Sequence, residues 1–592
     1  MKQLLCLTKF LAALIALTAC SQQTVHQPQH PPNVVLILTD DQGYGDYSMN
    51  GNRWVETPAI DQLAGKSALF SNFFVSPVCA PTRASLLTGR HFQRTGVNGV
   101  TRGRENMSLE EQTMADIFAG NGYATGTFGK WHNGAHYPYH PNGRGFDEFY
   151  GFCAGHWTNY FDTELEHNGR VIQSEGYIVD DITDKAISFI EENQKDNKPF
   201  FCYLSINTPH TPLQVPDEYF DKYKAKGLDD FNAAIYGMCD NIDFNVERLL
   251  GKLDDLGIRE NTIVMYLSDN GPVNDRFNAG LKGLKGSTHE GGVKTPFILN
   301  WDGKLEAQEI DGIAAHIDVL PTLVELTGIE VHYKNTIDGK SLVPMINGHM
   351  QEVHENIPGR WYQKTRLRTP EYLMVNDALY NIRNDPGQSI DIRTMHPAVF
   401  DSLKRVFDKW DSEVKSGSKT DFRIPLGYDA FPSSYLPAHE ADLHPGYTRY
   451  EEKPEEISYY AFYGWANDWI DDWTSTDAFI TWDINVVEAG IFRFAVEYNC
   501  KPRDTGVLLK FEVQDHEKTI EVTEPFFSGL KDLPDRVEIE AEAPEKESWA
   551  LLDLGTFPLE EGASTIKLSS LEITGEKSLE IKGVRAKRVD AD

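Results

Sequence analysis

N-V-V-L-I-L-T-D-D, residues 33–41, is the stretch from which the fold is read. Val34–Leu38 is continuously apolar, as a strand buried on both faces requires. Leu69–Val75, Ala124–Phe128, Phe200–Ile206 and Ile263–Leu267 are further strand-like runs. Amphipathic stretches lie between them. Ser108 with Glu111 reads as a capping box ahead of Met114, Ile117 and Phe118. Ile178, Ile182, Ala186, Phe189 and Ile190 keep helical spacing, as do Ile242, Val246, Leu249 and Leu250. This alternation predicts an α/β domain over residues 33–350, a mostly parallel sheet sandwiched by helices.

Beyond it, residues 351–415 read as a small α+β subdomain, with a hairpin of Tyr372–Val375 and Ala378–Ile382 across Asn376-Asp377 and a closing helix over Val399–Val414. Residues 416–455, rich in Pro, Gly and acids, read as a linker. From 456 to 592 the period changes to two. Ile491–Tyr498, Val507–Val513, Thr519–Val522, Val537–Ala541, Thr565–Leu568 and Leu579–Val584 predict an appended all-β sandwich.

The chain has 592 residues, 40% hydrophobic and 11% aromatic, ample for about two to four packed units. A net charge of −33 excludes a nucleic-acid binder and disfavours anionic membrane surfaces. It also repels anionic ligands at long range, so a site for one must carry its own positive charge or work in high salt. The apolar run Phe10–Ala19 behind Lys2 and Lys9 is too short to span a bilayer and reads as a signal-peptide core over residues 1–20. It ends in L-T-A-C, a lipobox-like sequence that predicts lipidation at Cys20 and an exported protein, periplasmic or at the cell surface, tethered through residues 21–32. Apart from that anchor no membrane contact is expected. Cys79, Cys153, Cys202, Cys239 and Cys500 show no C-x-x-C spacing, so neither a disulfide framework nor a zinc ribbon is implied.

Ligands of open parallel sheets bind beyond the carboxyl ends of the strands. Five strand ends here run into Asp40-Asp41, Cys79, Lys130 and His132, His210, and Asp269-Asn270. Paired acids after a strand are ordinarily a turn or a cap; it is the convergence on one rim that points to chemistry. Asp40, Asp41, Asp269 and Asn270 offer hard oxygen ligands without imidazole or thiolate, which favours calcium or magnesium over zinc.

C-A-P-T-R-A-S-L-L-T-G-R, Cys79–Arg90, resembles the signature of the formylglycine-dependent (type I) sulfatases of the alkaline phosphatase superfamily. Other blocks follow in that family's order: G-K-W-H from Gly129, G-F-D-E-F-Y-G from Gly145, T-P-H-T-P from Thr208, S-D-N-G from Ser268 and K-G-S-T-H-E-G-G-V-K-T-P from Lys285. Asn133 and Lys294 depart from the family's usual Leu and Arg. The resemblance covers residues 33–415. It implies oxidation of Cys79 to Cα-formylglycine by a sulfatase-maturating enzyme, with Ca2+ held by Asp40, Asp41, Asp269, Asn270 and the modified residue 79. One hydroxyl of the aldehyde hydrate attacks sulfur and the other later expels sulfate. Arg83, Lys130 and Lys285 would neutralise the sulfuryl oxygens, His210 with Lys285 would protonate the leaving oxygen, and His132 would take the hydrate's second proton.

The export signal, the acidity and the extra module favour a sulfated carbohydrate, an algal polysaccharide or its oligosaccharides, as partner. The alternatives are a formylglycine-dependent phosphodiesterase or phosphonate hydrolase, and a non-catalytic glycan-binding lipoprotein. His136, Arg144, His156, Trp157 and Arg276 lie near the motifs and are candidates to line a sugar site. The aromatic lead Tyr459, Tyr460, Phe462, Tyr463, Trp465, Trp469 and Trp473 has two readings: a sugar-stacking platform, or packing at a domain contact.

Overall fold

The structure, a computed structural model, describes residues 31–415, 421–448, 450–461, 464–539 and 543–589. The signal segment, Cys20 and most of the tether lie outside the described residues, as do Phe462 and Tyr463. No helix among the described residues is long and apolar enough to cross a membrane.

An 11-stranded sheet forms the centre. Its principal strands are β1 (Asn33–Thr39), β2 (Ala68–Phe74), β3 (Ala124–Lys130), β4 (Glu148–Phe152), β5 (Phe200–Ser205), β6 (Thr262–Ser268) and β7 (Lys294–Asn300). They lie in the order β2-β7-β6-β1-β5-β3-β4. β1 pairs in parallel with β5 and β6, and β3 with β5 and β4. β7 runs antiparallel to both β6 and β2, which restores β2 to the direction of β1. The carboxyl ends of β1, β2, β3, β5 and β6 therefore share one rim.

β1 shows why its sequence lacks alternation. Val35 and Ile37 enter one core cluster, while Val34, Leu36 and Leu38 enter the other. α2 (Ile178–Lys195) and α3 (Asp230–Asp255) close the first face through Ile178, Ile182, Ala186, Ile242, Val246 and Leu249. α1 (Cys79–Thr88) and the helix Val319–Thr327 close the second. Each such aliphatic side chain, fully buried, contributes about 1.5–3 kcal/mol.

The helix Met114–Gly120 is capped by Thr113 and Asp116 in a reciprocal box, not by Ser108 and Glu111. The same spacing recurs five residues later, directly against the helix. Glu111 is instead taken by Arg90, at 2.5 and 2.7 Å. The subdomain is a four-stranded antiparallel sheet whose hairpin turns at Asn376, with φ +51. α4 (Pro397–Val414) packs Phe407 against Leu367, Met374 and Leu379.

Two six-stranded sheets build the C-terminal sandwich. Its core includes Trp473, Trp482, Phe494, Phe511, Ile566 and Val584. The expected linker is largely part of it. Ile424–Leu426, Ser433–Pro437 and Asp442–His444 pair with strands Phe479–Val486 and Glu580–Arg588, burying Leu426, Leu436 and Leu443. These strands are too short, and too broken by Pro and Gly, for periodicity to register. Residues 537–539, expected at the head of a strand, form none; Val537 and Ile539 pack on the catalytic core instead. Ala550–Leu559 supplies a strand that the pattern did not mark.

Candidate active site

The rim assembles the expected side chains around buried charge. Asp40 and Asp41 follow β1 without a break, and Asp41 adopts φ +65, a left-handed conformation that its short polar side chain tolerates. Cys79 is the first residue of α1, behind the extended Val78. One turn on, Arg83 is fully buried and donates through Nε and Nη2 to Asp269 Oδ2 at 3.1 and 2.9 Å. Its Nη1 donates to the Lys130 carbonyl at 2.9 Å and the Ser205 hydroxyl at 2.5 Å. Lys130 Nζ reaches Asp40 Oδ2 at 2.5 Å, and Lys285 Nζ reaches Asp41 Oδ1 at 2.7 Å. His210 Nε2 stands 3.8 Å from Asp41 Oδ2. Asn270 Nδ2 donates to Asp41 Oδ1 at 2.7 Å.

The oxygens suit a divalent cation. Asp40 Oδ1 and Asn270 Oδ1 are buried without a hydrogen-bond partner. Ligand atoms of Asp40, Cys79 and Asp269 lie within 4.8 Å of one another, as do those of Asp40, Asp41 and His210. Burial would push the Asp40 carboxyl up, but Lys130, His210 and Arg83 outweigh it and hold it well below the usual range. Asp269 is pushed the other way, up to about 7, by burial and by the charge of Asp40, against Arg83. Carboxylates this close repel unless a cation sits between them.

The histidines are set as neutral rings. Burial, then Lys130, pushes His132 well below its ordinary value; burial, then Lys285, brings His210 down to about 4, against Asp41. His132 Nε2 lies 2.8 Å from the Val100 carbonyl, which can only accept, so Nε2 carries the proton. Its Nδ1 is buried without a partner and keeps a lone pair. By the same argument His210 Nδ1 donates to the Thr211 carbonyl at 2.7 Å, and Nε2 faces the site. The Cys79 thiol is pushed up by burial, against Lys130 and Lys285. As a cysteine it stays protonated and is a poor nucleophile.

Of the flanking candidates, His156 stands beside His210 with ring centroids 5.7 Å apart. Arg276 binds Asp46 and the Asp41 carbonyl, bracing the acids from behind. Arg144 is taken up by the Ser108 and Glu111 carbonyls, and Trp157 stacks on Phe152; both are packing residues. Ser205, which links Arg83 to the Lys130 carbonyl, was not singled out; a serine ending an apolar strand gives no pattern signal. His140, Cys153 and Glu166 also converge. There His140 Nδ1 accepts from the Asn142 amide and Nε2 meets Glu166 at 2.6 Å, leaving no lone pair for a metal.

The sandwich touches the loops around this rim. Glu440 binds His136 at 2.8 Å, Asn467 donates to the His156 carbonyl at 3.2 Å, and Phe431 stacks on Tyr137. Gln214 donates to Asp535 at 2.8 Å, and Arg536 donates to the Val215 carbonyl at 2.7 Å. Of the described members of the aromatic lead, Trp469 and Trp473 are 0% exposed and Tyr459 2%, Trp465 is half-buried, and Tyr460 is exposed but stacks on Trp469. A stacking platform needs an open face, so the packing reading prevails for these residues.

A parallel sheet with helices on both faces, carrying buried acids, cations and a helix-initial cysteine on one rim, is the architecture of the alkaline phosphatase superfamily. A sequence model of the sulfatase family matches residues 32–329, and the chain belongs to that family. It is a sulfuric ester hydrolase. YdeN of Escherichia coli (strain K12), described as an uncharacterized sulfatase, is 30% identical over 392 residues, 56% of this chain and 69% of YdeN. N-acetylgalactosamine-6-sulfatase of Sus scrofa is 31% identical over 375 residues, 57% of this chain and 70% of the relative. Among solved structures, Ps i-CgsB in complex with k-i-k-neocarrahexaose superposes with a TM-score of 0.61 at 29% identity, covering 66% of this chain and 94% of that one.

Proposed function

We propose that the protein removes sulfate from a sulfated polysaccharide or its oligosaccharides, using formylglycine made from Cys79 and a calcium ion held by Asp40, Asp41, Asp269 and Asn270. The observation that carries this reading is the buried cluster itself. A protonated thiol at residue 79 sits among Arg83, Lys130 and Lys285 in a chain of net charge −33. That is the local positive charge an anionic ester needs. The bound carbohydrate of Ps i-CgsB supports a polymer-derived substrate.

When present, the formylglycine hydrate supplies a nucleophilic hydroxyl and the cation lowers its pKa. The chain's own residues do the rest. Lys130 and Lys285 face the position of the Cys79 side chain and stabilise charge on the sulfuryl oxygens, while Arg83 fixes Asp269 and adds positive charge from behind. His132 holds its free Nδ1 lone pair ready for a proton. Lys285, kept charged by Asp41 against burial, holds a proton for the leaving oxygen; His210, neutral in the resting site, joins it as an acid only in the form protonated at Nε2. Export to the periplasm or cell surface, with lipid at Cys20, completes the proposal.

Desulfation assays on a glycan panel, with peptide mass spectrometry of residue 79, test it. Active enzyme carrying only unmodified cysteine would refute the nucleophile. Turnover of aryl phosphodiesters but not sulfate esters would favour the phosphodiesterase reading.

A further inference from the structure

We propose that a cleft between the 100–105 loop and the C-terminal sandwich is a carbohydrate subsite, one that holds an uncharged stretch of the chain bearing the sulfate ester. This inference rests on the polysaccharide reading above and assigns the sandwich its part in it.

The cleft has a volume of about 630 Å³, inside the roughly 300–1,000 Å³ of small-molecule sites. Arg102 and Arg104 form its catalytic-domain wall; Phe422, Glu440, Asp442 and Tyr447 form part of the opposite one. The loop is also tied to the active site. Val100 gives its carbonyl to His132, and Asn133 donates to the carbonyls of Ala80 at 3.1 Å and Glu105 at 3.5 Å. At its tip Arg102 and Gly103 take φ +61 and +75, and Phe422 packs against Gly103. One loop thus lies against catalytic residues with its base and walls the cleft with its tip.

The charges decide what the cleft fits. Arg102 pairs with Asp442 at 2.6 Å, Arg423 with Asp421 at 2.6 Å, and Glu440 with His136 at 2.8 Å. Asp483 accepts from Thr565. Arg104 is exposed and makes no ion pair with a described residue. The walls are therefore close to neutral and dense in fixed donors and acceptors, unlike the basic trough a polyanion selects. Phe422, 48% exposed, adds an aromatic face. Neutral polar groups beside an exposed ring suit the hydroxyls and C–H faces of pyranoses.

The test uses full-length matured enzyme with calcium. Its substrates are 4-nitrophenyl sulfate, monosaccharide sulfates, k-i-k-neocarrahexaose, and fucoidan, heparin and chondroitin oligosaccharides. On an oligosaccharide that the wild type desulfates, Phe422→Ala should raise KM about 3- to 10-fold, with the monosaccharide sulfate unaffected. Gly446→Trp, which fills the cleft, should do the same, because a side chain there meets little but the Leu443 carbonyl. The KM increase should persist between 50 and 500 mM salt, over which the Debye length falls roughly threefold. Unchanged KM in both variants overturns the subsite alone, as does an equal loss on the monosaccharide. An effect that salt abolishes and Arg104→Ala reproduces overturns the neutral-segment assignment in favour of a polyanion site. A wild type that hydrolyses 4-nitrophenyl sulfate but no oligosaccharide overturns the polysaccharide reading and the subsite with it.

Discussion

The rim of the catalytic domain and the core of the C-terminal sandwich bury different things. In the first, Asp40, Arg83, Lys130 and Asp269 are taken out of water to within 1% exposure. In the second, the largest fully buried side chains are Trp469, Trp473 and Trp482. Buried charge costs several kcal/mol per ion and persists only when paired or given a task. Buried indole stabilises through its apolar area, most fully where its N–H is paired, as Trp473 and Trp482 are with backbone carbonyls and Trp469 is not. The contrast separates a region selected for chemistry at the expense of stability from one built for stability and contact.

That contrast can be broken at graded cost. Cys79→Ala should leave the fold and substrate binding intact while turnover falls by about 10⁴-fold or more; calorimetric binding beside a desulfation assay checks both. Residual turnover near wild type would remove residue 79 from the chemistry. His210→Ala should cost roughly 10²–10⁴-fold on a sugar sulfate, whose alkoxide leaves poorly, and far less on 4-nitrophenyl sulfate. Equal losses on the two substrates would make His210 a positioning residue. Asp269→Ala should lower calcium content and activity together, read by elemental analysis and assay. Full calcium stoichiometry in the variant would take Asp269 out of the ligand set.

In the sandwich the effect should be on stability alone. Trp473→Ala empties a fully buried site and should cost about 3–5 kcal/mol in denaturant unfolding, with kcat on 4-nitrophenyl sulfate unchanged below the transition. The smallest effect lies between the regions. Glu105 is pushed up to about 7 by burial and by Glu440, with His136 opposing, from an ordinary 4.5. The folded chain therefore keeps a proton that the unfolded chain releases, and stability falls as pH rises through about 4.5 to 7. Glu105→Gln should add about 1–2 kcal/mol at pH 7.5 and nothing near pH 4. A pH-independent gain would show that Glu105 does not titrate in that window.

The same contrast explains what could be read in advance. The rim was legible because contiguous motifs hang directly on strand ends: Thr39-Asp40-Asp41, Cys79 to Arg83, Lys130 to His132 and Asp269-Asn270. Position in the strand fixes position at the rim. Ser205, the Val100 carbonyl and Asp46 behind Arg276 were not legible, since they act through contacts between segments distant in sequence. In the sandwich the long alternating strands were visible, whereas Ile424–Leu426 and Asp442–His444 hide in turn-rich sequence. The aromatic lead was ambiguous for a related reason: composition marks a large apolar face, and only the three-dimensional neighbours decide whether it is covered.

The burial of α1 along its whole length has a consequence in time. A side chain 3% exposed at the start of such a helix offers no approach to another enzyme. Any enzymatic alteration of Cys79 is therefore an event in the life of the nascent or translocating chain, completed before the sheet closes over it. Folded protein still carrying the thiol should be inert to a maturation enzyme that readily converts the same chain in urea-unfolded or peptide form. On the formylglycine proposal, biogenesis then imposes a deadline: a molecule that folds before it is modified would stay inactive.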